Sequence, residues 1–175
     1  ARRRLTRKRF WGALTDTAQS TAMIYVIIAG ASVFAYFVTV SHAPELMVKA
    51  IQNSGMSAVG VIAALLLMYI VLGAVFDEMA AMVITMPFVL PIVTGFGYDL
   101  VWWGIINVVV CELGMIVPPI GINVFVIHGL ARQIPLSAIY RGAAPFILAD
   151  TLRLAILVAF PVLTLWLPAA LKQLT

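Results

Sequence analysis

Residues 100–131 read LVWWGIINVVVCELGMIVPPIGINVFVIHGLA, and the centre of that run decides how the chain is built. Two apolar half-segments flank Gly114-Met115-Ile116-Val117-Pro118-Pro119-Ile120-Gly121-Ile122-Asn123. Pro118 and Pro119 lack amide donors and clash with a preceding helical turn. Pro118 also precedes a proline, which pushes it out of the helical region. Gly114 and Gly121 permit unusual backbone angles. The pattern predicts a discontinuous helix over 100–131, unwound at its centre. Such backbone is tolerated at membrane depth only inside a protein bundle or beside a wet cavity.

Residues 56–94 pose the same problem in another form. Their only charges are Asp77 and Glu78, together in the middle. One straight helix of that length would be about 58 Å long, roughly twice a hydrocarbon core. The chain must break or turn, and Gly73-Ala74-Val75-Phe76-Asp77-Glu78 is the natural place. Two short full crossings and a re-entrant hairpin with its tip at membrane depth both fit.

Both runs belong to a membrane protein. Of 175 residues, 63% are hydrophobic and 10% are charged. Soluble domains carry about 25% charged residues. No Asp, Glu, Lys or Arg lies between Asp16 and Glu45, Lys49 and Asp77, Glu78 and Asp99, Glu112 and Arg132, or Arg153 and Lys172. Each gap is about the length of a spanning helix. The fold class is an all-α integral membrane protein. One cysteine, Cys111, excludes an internal disulfide framework.

The remaining segments follow from charge and punctuation. Residues 1–17 form a basic amphipathic lead-in, with Arg2, Arg3, Arg4, Arg7, Lys8 and Arg9 beside Phe10, Trp11 and Leu14. Its cations reach lipid headgroups while the apolar side chains lie at the interface. A nucleic-acid arm is the rival reading, but the apolar chain that follows at once favours a cytoplasmic juxtamembrane segment, with no nucleic-acid partner. Residues 18–42 are a spanning helix with a strip of Gly30, Ala31, Ser32 and Ala35 for close approach of another helix. Residues 45–53 suggest a short interfacial helix, and 143–168 the last span, with Pro145, Pro161 and Pro168 marking kinks or ends. Trp102 and Trp103 fit an interfacial belt near Asp99. Placing Arg132 and Arg141 on the cytoplasmic side with the basic arm requires an even number of passes through 56–94.

The two disrupted centres are the functional candidates. Unwound carbonyls can replace a cation's hydration shell, and half-helix amino ends can receive an anionic group. Gly73 and Gly121 let backbone approach a bound ion, Pro118 and Pro119 keep carbonyls free, and Asn123 offers an acceptor and a donor. The plainer alternative is a kinked structural helix. Asp77 and Glu78 are carboxylates at costly depth; either can instead cap the second hairpin helix. Glu112 is a buried hydrogen-bonding group or a proton site. Asp150 and Arg153 are spaced to pair on one helix face. His42 reads as interfacial and His128 as a helix-face residue, without metal partners. No phosphate loop, nucleotide fingerprint, zinc motif or nucleophile elbow occurs, so an enzyme is not expected.

The chain resembles the C-terminal half of the large membrane subunit of tripartite ATP-independent periplasmic (TRAP) transporters. The blocks that carry the resemblance are RRRLTRKRFWGAL, GAVFDEMAAMVITMPFVLPI, GMIVPPIGINVFV and PFILADTLRLAILVAFPVLTLWLP, in that order. The resemblance implies a sodium-driven symporter of the bacterial inner membrane, a multi-pass protein with an elevator-type moving domain. The chain would hold one of two inverted repeats, with 56–94 as a re-entrant hairpin. It implies one Na+ site held by backbone around Gly73, Val75 and Asp77 with Gly114, Val117, Pro119 and Gly121. Asn123, with Pro119 and Gly121, would support the broken helix or face substrate. Many members carry Thr before Pro-Pro; Val117 removes that hydroxyl and leaves its carbonyl. The implied partners are the missing N-terminal half of the large subunit, a small membrane subunit and a periplasmic substrate-binding protein. The implied cargo is a small organic acid, such as a dicarboxylate or sialic acid. Two alternatives stay open: proton coupling through Glu112 or Asp77, and a non-transporting assembly subunit.

Overall fold

The structure is a computed structural model that describes residues 6–172. Arg2, Arg3 and Arg4 of the basic arm lie outside the described residues. The described residues are all-helical: α1 Arg7–Val40, α2 Ala43–Asn53, α3 Ala58–Val75, α4 Glu78–Gly95, α5 Leu100–Gly114, α6 Ile122–Leu130, α7 Leu136–Ala159 and α8 Val162–Lys172. Among the described residues four helices, α1, α3, α4 and α7, are long and apolar enough to cross a membrane.

Helix α1 runs unbroken from Arg7 through the whole first span. The lead-in is therefore not a separate segment from residues 18–42. Gly12 interrupts nothing, and the Thr15 and Thr17 hydroxyls donate back to the Trp11 and Ala13 carbonyls at 2.9 and 2.8 Å. The helix stops at Ser41-His42, where His42 adopts φ 53°. Helix α2 then lies against α4. The Gln52 amide donates to the Gly95 carbonyl at 3.1 Å.

Helices α3 and α4 form a hairpin whose turn is Phe76-Asp77. Each arm has 18 residues, about 27 Å at the α-helical rise. Ser57 caps α3 by accepting from the Gly60 amide at 3.2 Å. Tyr69 and Thr85, nearly equidistant from the turn, share a hydroxyl–hydroxyl bond that ties the arms together. Pro87 and Pro91 are accommodated inside α4.

Helix α5 is the hub. It packs on α3, α4, α7 and α8. Its Trp102, Trp103, Ile106, Val110, Cys111 and Leu113 join Tyr69 and Ile62 of α3, Val93 of α4 and Leu154 of α7 in one core. The expectation that Trp102 and Trp103 form an interfacial belt is corrected: they are 1% and 0% exposed, inside the bundle. For Trp102 the last helix supplies the partner that burial requires. The expected single span 143–168 is two helices, α7 starting earlier at Leu136 and breaking at Phe160-Pro161. Pro161 has no amide to give to the Leu157 carbonyl. The Trp102 indole N–H donates there instead, at 3.1 Å. Tyr98 stacks on the same indole at 4.9 Å.

Candidate functional site at two helix breaks

The carboxyl-terminal ends of α3 and α5 cross at their glycines. A Cβ on Gly73 would lie 3.2 Å from Gly114 Cα and 3.3 Å from the Cys111 oxygen. A Cβ on Gly114 would lie 2.9 Å from Gly73 Cα and 3.2 Å from the Ile70 oxygen. The obstacles are backbone atoms, which have no rotamer to change. Both glycines are buried. Their lack of a side chain is what lets the two helix ends meet.

Each end then runs out of donors. In α3 the Phe76 amide donates to the Leu72 carbonyl at 2.7 Å, after which the chain turns extended. Among the described residues no backbone amide reaches the carbonyls of Gly73, Ala74 or Val75. In α5 the residues four positions beyond Gly114 and Met115 are Pro118 and Pro119. Neither can donate. The Met115 carbonyl instead accepts the Asn123 amide at 3.2 Å, and no backbone donor reaches Gly114 among the described residues. Two helix carboxyl ends, each partially negative, thus meet with carbonyls free.

The connection 115–121 folds tightly on itself. Gly121 has φ 53°, and a Cβ there would lie 3.2 Å from each of Ile116 C, Met115 O and Val117 O. The Gly121 carbonyl starts α6 by accepting from Val124 and Phe125 at 2.8 and 3.3 Å. The Pro118–Pro119 peptide is cis. Tyr140, in the early part of α7, holds the loop from outside: its hydroxyl lies 3.1 Å from the Pro119 oxygen and 2.7 Å from that of Ile120. One hydrogen serves both acceptors, the nearer one principally.

The carboxylates occupy distinct places. Asp77 is the N-cap of α4, accepting from the Ala80 amide at 3.0 Å. It lines a groove between α1 and α4 with Ser20, Met23 and Met79. Glu78 begins α4, where negative charge suits the helix dipole. Glu112, expected to be buried, is instead 51% exposed on the outer face of α5; it accepts from Arg153 at 3.4 Å, and Arg153 also reaches Asp150 at 3.2 Å. Among the described residues no three His, Cys, Asp or Glu side chains gather to hold a metal ion. The oxygens left without backbone donors near the glycine crossing are the carbonyls of Gly73, Ala74, Val75 and Gly114.

Of the expected site residues, the structure joins Gly73 to Gly114 and brings Val117 against Gly121. Val75 and Asp77 follow at the hairpin tip, with Val75 exposed. Pro119 and its carbonyl face Tyr140. The Asn123 side chain is exposed and has no hydrogen-bond partner among the described residues; its backbone does the joining. Sequence reasoning missed Tyr140, and also Met115, whose carbonyl closes the loop. The signal for Met115 was present, since Pro119 strips that carbonyl of its helical donor. Nothing in sequence linked Tyr140 to a loop about twenty residues away.

Comparison with known proteins adds the following. Residues 1–163 match the family model "Tripartite ATP-independent periplasmic transporter, DctM component". The C4-dicarboxylate TRAP transporter large permease protein DctM of Vibrio cholerae is 30% identical over 90% of this chain and 35% of its own length. The sialic acid TRAP transporter large permease protein SiaM of the same species is 25% identical over 94% of this chain and 38% of its own length. The 2,3-diketo-L-gulonate TRAP transporter large permease protein YiaN of Escherichia coli is 26% identical over 91% of this chain and 37% of its own length. The chain thus spans little more than a third of each of these relatives. No solved structure matches it.

Proposed function

We propose, for a chain that belongs to the DctM family of tripartite ATP-independent periplasmic transporters, that it forms one repeat of a sodium-coupled large permease importing a small organic anion. The observation that carries this reading is the meeting of two helix carboxyl ends at Gly73 and Gly114, with carbonyls released by the turn at Phe76 and by Pro118. Carbonyl oxygens without competing donors suit a hard monovalent cation, and two convergent helix ends attract it. A transport cycle needs a site that dehydrates its ion and then releases it. Neutral carbonyls do both more readily than a cluster of fixed carboxylates.

The first turn of α6 supplies the complementary end. The Ile122 amide, which has no backbone acceptor among the described residues, and the accessible Asn123 side chain suit a carboxylate. Cation and anion would then bind on opposite sides of the loop 115–121, which couples them mechanically through the Asn123–Met115 bond. The relatives' printed names place C4-dicarboxylates, sialic acid and 2,3-diketo-L-gulonate with those proteins; a small organic acid is the class proposed here. In this reading the chain sits in the bacterial inner membrane and works with the rest of the large permease, a small membrane subunit and a periplasmic binding protein. The hairpin α3–α4 is the re-entrant element of an elevator-type moving domain. The capping of Asp77 and the pairing of Glu112 with Arg153 favour structural roles for both carboxylates over proton coupling.

The test is uptake by the complete transporter in vesicles, with its binding protein supplied outside. Replacing an inward sodium gradient by choline, at constant membrane potential and pH gradient, should remove concentrative uptake. Undiminished uptake without sodium overturns the coupling.

A further inference from the structure

The triplet Glu112, Arg153 and Asp150 stands on an outward face of the bundle. The side chains of Glu112 and Arg153 are 51% and 47% exposed. Their surroundings are apolar: Val101, Ile105 and Val108 on α5, Leu152 and Ile156 on α7, all exposed. Along α5 these residues flank Gly104, which has nothing within 4 Å of a would-be Cβ. Together they shape a groove of about 570 Å³ lined by Val101, Gly104, Ile105, Val108, Val109 and Glu112.

Two carboxylates and one guanidinium leave this face with an excess negative charge. Asp150 and Arg153 lie well inside the apolar helix α7, so the excess sits within a span. Lipid tails supply no countercharge, and an uncompensated carboxylate there is costly. The face therefore calls for a protein cover with a cationic group. The chain spans 35% of the Vibrio cholerae DctM relative, so most of such a permease lies outside it.

We propose that the α5 groove receives an apolar transmembrane segment from the remainder of the same permease, and that a Lys or Arg on that segment completes the triplet at Glu112. Small Gly104 admits the segment closely, as glycines do between membrane helices. Glu112 fixes its register through a charged pair desolvated by both partners. The inference rests on the chain's working within a larger permease and not on sodium as the coupling ion.

The experiment uses the complete permease in native membranes, with benzoylphenylalanine in place of Val108. Illumination should give an intramolecular crosslink to a segment outside this chain that carries Lys or Arg near the attachment point. Glu112→Gln should lower the yield severalfold. Glu112→Lys should abolish it, and replacing the identified cation by Glu in that background should restore it. Crosslinking only to lipid, to a second copy or to another subunit overturns the proposal, as does a yield indifferent to Glu112. The crosslink requires no ion gradient, so its failure is distinct from failure of sodium-dependent uptake.

Discussion

The breaks at 76–77 and 115–121 do similar work by opposite means. The first is two residues long and is made by a side chain: Asp77 caps α4 and the turn is complete. The second is seven residues long and is made by backbone. Prolines remove donors, Gly121 takes a left-handed conformation, and the Asn123 amide and the Tyr140 hydroxyl gather the loose carbonyls. A side-chain break tolerates any residue that accepts the same hydrogen bond. A backbone break tolerates little, because its parts are not interchangeable. The two meet at Gly73 and Gly114, where neither has a side chain to adjust.

The strongest challenge to that contrast is Gly114→Val. Its Cβ would meet Gly73 backbone at 2.9 Å, so the helix ends must separate. Overpacking of this kind costs about 1–3 kcal/mol. The complete permease should melt at lower temperature and lose sodium-dependent uptake. Unchanged uptake would mean that the glycine crossing is not part of the transport path. Next comes Gly121→Leu, where positive φ alone costs about 1–2 kcal/mol and three backbone atoms stand 3.2 Å from the new Cβ. It should reduce uptake far more than Val117→Thr, which adds an oxygen without changing backbone. Sodium titrations of both variants check the order, and equal sodium dependence in wild type and Gly121→Leu would contradict the placement.

Asp77 distinguishes a cap from a coupling charge. Asp77→Ala should cost about 1 kcal/mol of helix stability, whereas Asp77→Asn keeps the acceptor and should keep uptake. Loss of uptake in the Asn variant, with thermal stability retained, would assign the charge itself a function. The smallest expected effect is Tyr140→Phe, which removes one hydroxyl and about 0.5–1.5 kcal/mol. It should speed hydrogen exchange at the Ile122 and Asn123 amides while leaving the core amides of α5 protected. Uniform exchange across both would show that the loop does not depend on α7.

Much of this architecture was readable because its causes are local. Adjacent prolines cannot sustain helix, and a 56–94 run too long for one span must turn near its charges. Long-range causes were not readable. Only the fold shows that Gly73 meets Gly114, or that Tyr140 reaches Pro119 and Ile120. Trp102 and Trp103 looked interfacial because aromatic pairs beside an acidic residue commonly are; inside the bundle the Trp102 indole is satisfied by a carbonyl that Pro161 frees on another helix. The lead-in looked separate because its charge stops near Asp16, but charge does not end a helix that has no breaker. The Glu112–Arg153 pair crosses between helices and has no signature in spacing, whereas Asp150 and Arg153, three apart on α7, do.

The strap formed by α2 gives the hairpin a mechanical character. Gln52 holds Gly95 at the base of α4, and Val48 packs so closely that a Cβ on Gly95 would come within 2.8 Å of it. The tip at Phe76-Asp77 is about 27 Å from that anchor along α4. The far end is held as well, because Gly73 packs backbone against backbone on Gly114 of α5, so the hairpin is a beam pinned at both ends whose tip shifts only together with the α5 break.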